Sequence, residues 1–184
     1  MVFVKAFFIS IESDKMNNFK LNSEIFKYKL DAKSLHIYCY LIANKNRRVR
    51  NDELKNKLNN LSRDTLAQSF NELKIKKLIS PKPILQKNII KSRFIYNDFV
   101  PDKKNNITNM LTFNSEIFKY NLSHRAFQVY LYLRANLDKH VLNKQITDDL
   151  YMTRNTLFVI LRELKKNNLL NKKTKKHNKI ICIF

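Results

Sequence analysis

Apolar residues along this chain follow one cadence twice, 92 residues apart. Phe19 and Leu21 alternate with polar neighbours, the period of a short extended lead-in, and Leu111 and Phe113 repeat it. The lead-in runs into NSEIFKY at Asn22 to Tyr28 and again at Asn114 to Tyr120, where Asn22 or Ser23 can cap a short helix and Glu24 sits near its positive end. The period then lengthens. Behind an Asp31 cap, Leu35, Tyr38, Cys39 and Ile42 recur at helical spacing and make a stripe that faces a core. Val49 is the single apolar tooth of NKNRRVR, read as a short strand, and Asn51 is placed to cap a small helix that turns Leu54 and Leu58 inward. Asn59 and Asn60 supply the turn that glycine would usually make, because Asn tolerates the left-handed conformation next best. Ser62 then caps a helix with the stripe Leu66, Phe70 and Leu73, closed by Leu78. LISPKPILQKNIIKSRFIY reads as a hairpin around Lys87-Asn88, with Pro81 and Pro83 suited to an edge or a loop.

The second run repeats this order. Ser123 caps the long helix with Phe127, Tyr130 and Leu131 on its stripe, Val141 is the strand tooth, Ile146 and Leu150 mark the small helix, and Thr153 caps the third. Thirteen of the 23 positions from Asn22 to Asn44 are identical to Asn114 to Asn136. After one extra residue in the first copy, SRDTLAQSFNEL (Ser62 to Leu73) aligns with TRNTLFVILREL (Thr153 to Leu164). The chain is therefore two copies of one unit. Residues 1–96 are expected to form a first domain with an apolar N-terminal strand, 97–109 a polar linker, and 110–184 a second domain.

Composition narrows the chemistry. Thirty-six Lys and Arg against 15 Asp and Glu give +21, a field that concentrates polyanions and makes nucleic acid the leading partner. Part of that excess reflects Lys- and Asn-rich usage, which an AT-rich genome would favour, but the arginines recur at placed positions. The chain has no Gly, which removes phosphate-cradling loops, dinucleotide fingerprints and the G-x-S-x-G nucleophile elbow. Cys39 and Cys182 lie apart in apolar surroundings and read as buried reduced thiols. His36, His124, His140 and His177 are scattered, so spacing reveals neither a zinc site nor a catalytic dyad. No apolar run reaches the ~18 residues of a membrane span, and Lys5 interrupts the opening run without a small-residue cleavage site following. The expectation is a cytoplasmic protein that needs no cofactor, does not touch membrane and is not an enzyme. Asp148-Asp149, the one notable acidic pair, is explained by its place at a helix end.

The order helix, short strand, helix, turn, helix, hairpin resembles the winged helix-turn-helix of bacterial phage and plasmid regulators and replication proteins. Thr65-Leu66 and Glu72-Leu73 carry the match, as do Thr156-Leu157 and Glu163-Leu164, within the pattern S/T-R-x-T-L followed by E-L-x-x-x-x-L/I. The likeness spans most of both copies and identifies a fold more than a protein. It implies a mainly α fold with small β-wings, two tandem winged helix-turn-helix domains, each with a third helix that enters the major groove.

With Leu66, Phe70 and Leu73 turned inward, the outward positions of the first such helix are Arg63, Asp64, Ala67, Gln68 and Asn71, and Ser62 and Thr65 stand at its start. Arg63 suits guanine, Gln68 suits adenine, and Asp64 suits a cytosine amine or the orientation of Arg63. In the second copy Thr153, Arg154, Asn155, Thr156 and Arg162 hold the corresponding places. Phe158 and Val159 replace Ala67 and Gln68. An exposed aromatic there marks a protein interface in the first reading, part of the core in the second, and a thymine-methyl contact in the third. Phosphate contacts would come from Arg47, Arg48 and Arg50 with Lys87, Lys91 and Arg93, and from Lys172, Lys173, Lys175 and Lys176.

The favoured expectation is a sequence-specific binder of double-stranded DNA, a transcriptional regulator of a phage or mobile element, with one chain standing in for a dimer. The alternatives are a replication initiator or segregation adaptor, or an anti-defence inhibitor that binds RNA or a nucleoprotein. A homodimer or a protein partner through the second copy is also open.

Overall fold

The computed structural model describes residues 18–45, 47, 49–86, 89–96, 110–137, 139 and 141–170, with the backbone alone for 81–96. The N-terminal apolar segment, the expected linker, the expected second hairpin with Cys182 and His177, and His140 lie outside the described residues.

The fold is mainly helical with two small two-stranded antiparallel sheets. The first copy runs through strand β1 (Asn18–Asn22), a 3-10 helix (Ser23–Tyr28), α1 (Ala32–Ala43), α2 (Asn51–Lys57), α3 (Arg63–Ile75) and the hairpin β2 (Ile79–Gln86) and β3 (Ile89–Tyr96). The second runs through β4 (Met110–Asn114), a 3-10 helix (Ser115–Tyr120), α4 (His124–Ala135), α5 (Asn143–Asp149) and α6 (Arg154–Lys166). Local chemistry starts these elements as expected. Asn22 and Asn114 accept from the amides of Glu24 and Glu116, Asp31 and Ser123 cap α1 and α4, and Ser62 and Thr153 cap α3 and α6.

Without glycine, left-handed turns fall on other residues. Asn59, Asn60, Asn121 and Asn168 take positive φ, as do Lys29, Lys77 and Tyr151. Lys77 and Asn168 end the two third helices alike, with the amides of Leu78 and Leu169 returning to the carbonyls of Leu73 and Leu164 at 2.9 Å. That closure is the physical content of the E-L-x-x-x-x-L spacing. Two expectations need correction. Val49 and Val141 lie in irregular backbone, where neither forms a strand, and Asn51 opens α2 without capping it, the cap position being Arg50 with no side-chain bond.

The larger difference lies between the copies. The lead-in strands pair with each other, Phe19 opposite Phe113, Lys20 opposite Thr112 and Leu21 opposite Leu111. Lys20 and Thr112 are the same position of the repeat, so this register is symmetric about a local two-fold axis through that pair. Two ring contacts across the seam repeat under the same axis. The ring of Phe26 meets Tyr132 edge-on at 5.5 Å and 80°, and its counterpart Phe118 meets Tyr40 at 5.0 Å and 79°. The equivalent carbonyls of Leu30 and Leu122 each accept from the other copy, one from Gln128 at 3.4 Å and one from Asn59 at 2.6 Å. This is the self-complementary geometry of a two-fold dimer interface, within one chain.

Burial follows from it. The buried apolar residues of both copies form one continuous cluster, in which Phe19 stacks on Phe113 at 5.3 Å. α1 was expected to present a stripe, yet Ser34, His36, Ile37, Tyr40 and Leu41 are buried as well, because α4 covers the face that its own copy leaves open. At that seam His36 Nδ1 lies 3.0 Å from His124 Nδ1, and the His36 ring stacks on Phe127 at 3.9 Å. One imidazole donates and the other accepts, so the acceptor at least is neutral. Burial, then the neighbouring His124, lowers the pKa of His36 to about 3. His124 is lowered too, by burial and then Lys33, with Asp31 opposing.

A histidine held neutral when folded binds fewer protons than the unfolded chain between its ordinary pKa of 6.5 and about 3. Its contribution is therefore intact above pH 6.5 and lost as pH falls toward 3. His36→Gln, which installs the residue of the equivalent position Gln128, should flatten the decline in the urea midpoint between pH 7 and pH 4. An unchanged decline in the variant would remove His36 from the account.

Candidate nucleic-acid interface

The two third helices present the outward faces read from their stripes. On α3, Leu66, Phe70 and Leu73 are buried and Arg63, Asp64, Ala67, Gln68 and Asn71 are exposed. On α6, Leu157, Ile160 and Leu164 are buried, Leu161 is half-buried, and Arg154, Asn155, Phe158, Val159 and Arg162 are exposed. Each helix is fixed to its own copy by the glutamate of the E-L pair. Glu72 accepts from the Asp31 amide at 3.1 Å, and Glu163 accepts from the Ser123 amide at 2.6 Å and its hydroxyl at 2.7 Å. In the sequence these glutamates are only part of a repeated pattern. In the structure they tie the third helix to the start of the first.

The residues at the helix starts are committed to structure. Ser62 Oγ accepts from the Thr65 amide at 3.1 Å and lies 2.9 Å from the Thr65 hydroxyl. Thr153 and Thr156 make the same pair at 3.2 and 2.9 Å. Their hydroxyls serve as caps, while the side chains of Arg63, Gln68 and Asn71 are exposed. Phe158 is 42% exposed and Val159 62%. The guanidinium of Arg154 sits over the Phe158 ring, 5.4 Å from its centroid, in the range of a cation–π contact. α3 has Ala67 at that place and therefore no ring beneath Arg63.

The basic positions outside these helices divide. Arg47 holds Glu53 in a two-pronged ion pair, donates from Nε to Asn44 Oδ1 at 2.8 Å, and shares Glu53 with the Tyr40 hydroxyl, itself 2.6 Å away. The bond from Arg47 holds the Glu53 carboxyl below the ordinary range, and burial with the bond to Glu53 pushes the Tyr40 hydroxyl up to about 12. Most of the donors that would meet a phosphate are already in use. Arg50 is far more exposed and pairs with Asp52 at 3.0 Å, a solvated contact that an incoming phosphate can displace. Arg48, Lys87, Lys172, Lys173, Lys175 and Lys176, and the side chains of Lys91 and Arg93, lie outside the described residues.

Sequence spacing gave no reason to join His36 to His124. Only the two-fold packing of α1 on α4 does so. No group of three or more metal-binding side chains forms among the described residues, and no described helix is long and apolar enough to cross a membrane. Cys39 is buried and unpaired, with its thiol pushed up by burial. Comparisons with protein-family models, curated proteins and solved structures find no match to the chain.

The contrast between the two arginines is testable. Arg47→Ala should cost about 1 kcal/mol and lower the thermal midpoint by about 2–4 °C, whereas Arg50→Ala should change stability by less than about 0.5 kcal/mol. Thermal unfolding with equal shifts for both variants would contradict the assignment of Arg47 to the Tyr40 and Glu53 network.

Proposed function

We propose that the chain is a sequence-specific double-stranded DNA-binding protein, a transcriptional regulator of a phage or mobile element, built as two winged helix-turn-helix units in one chain. The observation that carries this reading is the pair of exposed faces on α3 and α6, placed by one two-fold axis in a chain of net charge +21. Arg63 is suited to guanine O6 and N7, Gln68 and Asn71 to adenine N6 and N7, and Asp64 to a cytosine amine or to holding Arg63. Arg154, Asn155 and Arg162 are the polar side chains exposed on α6 in the second copy. A protein with a two-fold axis suits two half-sites about one helical turn apart.

Affinity in this reading comes from the backbone. Arg50 and the basic hairpin segments, with Lys87, Lys91 and Arg93 in one and Lys172, Lys173, Lys175 and Lys176 in the other, supply phosphate contacts that carry no sequence information. Arg47 is left out of that set because Glu53 holds it. The role needs no cofactor and no catalysis.

Selection of bound sequences from a random duplex pool near physiological salt should enrich a defined site. Arg63→Ala should weaken that site by about 1 to 3 kcal/mol and relax one base position, while Lys175→Ala should weaken all sequences alike. A preference of no more than a few-fold over random DNA would contradict sequence-specific reading.

A further inference from the structure

We infer that the DNA ligand is an inverted pair of two unlike half-sites, which the chain can occupy in one orientation only. The inference rests on the DNA-binding reading and adds the symmetry and polarity of the site. The strand pair sets the symmetry. Because Lys20 faces its own repeat equivalent Thr112, the two copies are related by an approximate two-fold axis, not by a translation along one direction. The Phe26–Tyr132 and Phe118–Tyr40 contacts repeat that relation away from the strands. α3 and α6 are each fastened to their own copy through Glu72 and Glu163, so the axis relates the two helices as well. Two-fold protein symmetry is matched by inverted repeats in the duplex. Tandem direct repeats would need a translated second copy.

The faces brought to those half-sites are not the same. Arg63 and Arg154 correspond, which gives both half-sites a shared position. The remaining outward positions differ: Asp64 against Asn155, Ala67 against Phe158, Gln68 against Val159 and Asn71 against Arg162. Gln68 and Asn71 present paired donors and acceptors that suit adenine, while Phe158 and Val159 present apolar surface that suits a thymine methyl. The Arg154 guanidinium rests on the Phe158 ring, so the aromatic also fixes where that arginine points. Ala67 gives Arg63 no such platform. Since the axis presents α6 as it presents α3, one ligand of the same chemistry serves both, and Phe158 and Val159 become readers of the second half-site. A symmetric operator would satisfy one face and mismatch the other. An unlike pair satisfies both, and reversing it mismatches both.

The experiment is selection from a random duplex pool with the full chain and with two face-exchange variants. The first variant makes α6 like α3, through Asn155→Asp, Phe158→Ala, Val159→Gln and Arg162→Asn. The second makes α3 like α6, through Asp64→Asn, Ala67→Phe, Gln68→Val and Asn71→Arg. All eight positions are exposed, and retained helicity by circular dichroism verifies the fold. The native chain should select an inverted but asymmetric site with one position common to both halves. Each variant should select a palindrome of a different half-site, and each should prefer its own palindrome over the native site by at least roughly tenfold. A native consensus that is already palindromic or a direct repeat, or variants that keep the native consensus, would overturn the inference while leaving DNA binding intact. The last of these would assign Phe158 to a protein partner. If the native chain enriches nothing, the DNA-binding reading falls first and this inference with it.

Discussion

The register of one short strand pair decides the rest of the structure. Lys20 lies opposite Thr112, and the residues on either side, Phe19, Leu21 and Phe113, are buried. A slip of one residue would turn that apolar set to solvent, so the core itself holds the register. The pairing lets each copy complete the other. α1 and α4 cover each other's open faces, and Phe26 and Phe118 each reach across to a tyrosine of the opposite copy. A small helical unit of this size buries limited apolar surface alone. Joining two of them into one continuous cluster raises that burial without a second chain.

For function, the consequence is a fixed relation between two exposed helix faces. A dimer of identical chains would present identical faces about its axis. Duplication within one chain keeps the axis while releasing each copy to change, and the changes fall where they cost the core little. Leu66, Phe70 and Leu73 keep apolar counterparts in Leu157, Leu161 and Leu164, whereas Ala67, Gln68 and Asn71 become Phe158, Val159 and Arg162. The proposed reading of a duplex by these faces follows from that division between conserved interior and divergent surface within the one chain.

Much of the local structure was legible in the sequence. Caps at Asp31, Ser62, Ser123 and Thr153, the Asn turn at Asn59 and Asn60, and the outward faces of α3 and α6 depend on neighbours a few residues away, and the pattern carries them. What the pattern missed depends on contacts between distant residues. His36 and His124 are 88 positions apart and meet only through the packing of α1 on α4. Arg47 looked like one of three equivalent arginines, yet Glu53 and Tyr40 capture it. The excess of apolar residues around α1, with Ile37 and Leu41 beside the expected stripe, was a signal of a second packed face. The repeat showed that there were two copies. Periodicity alone did not show that they share one core.

That shared core is the claim on which the account stands, and native-state hydrogen exchange in increasing urea tests it most directly. The slowest amides of α1 and α4 should open with the same free energy and merge into one global transition, because neither helix can unfold without exposing the other. Opening energies for the two copies that stay apart by more than about 1 kcal/mol, with separate urea dependence, would show two independent units and contradict the account.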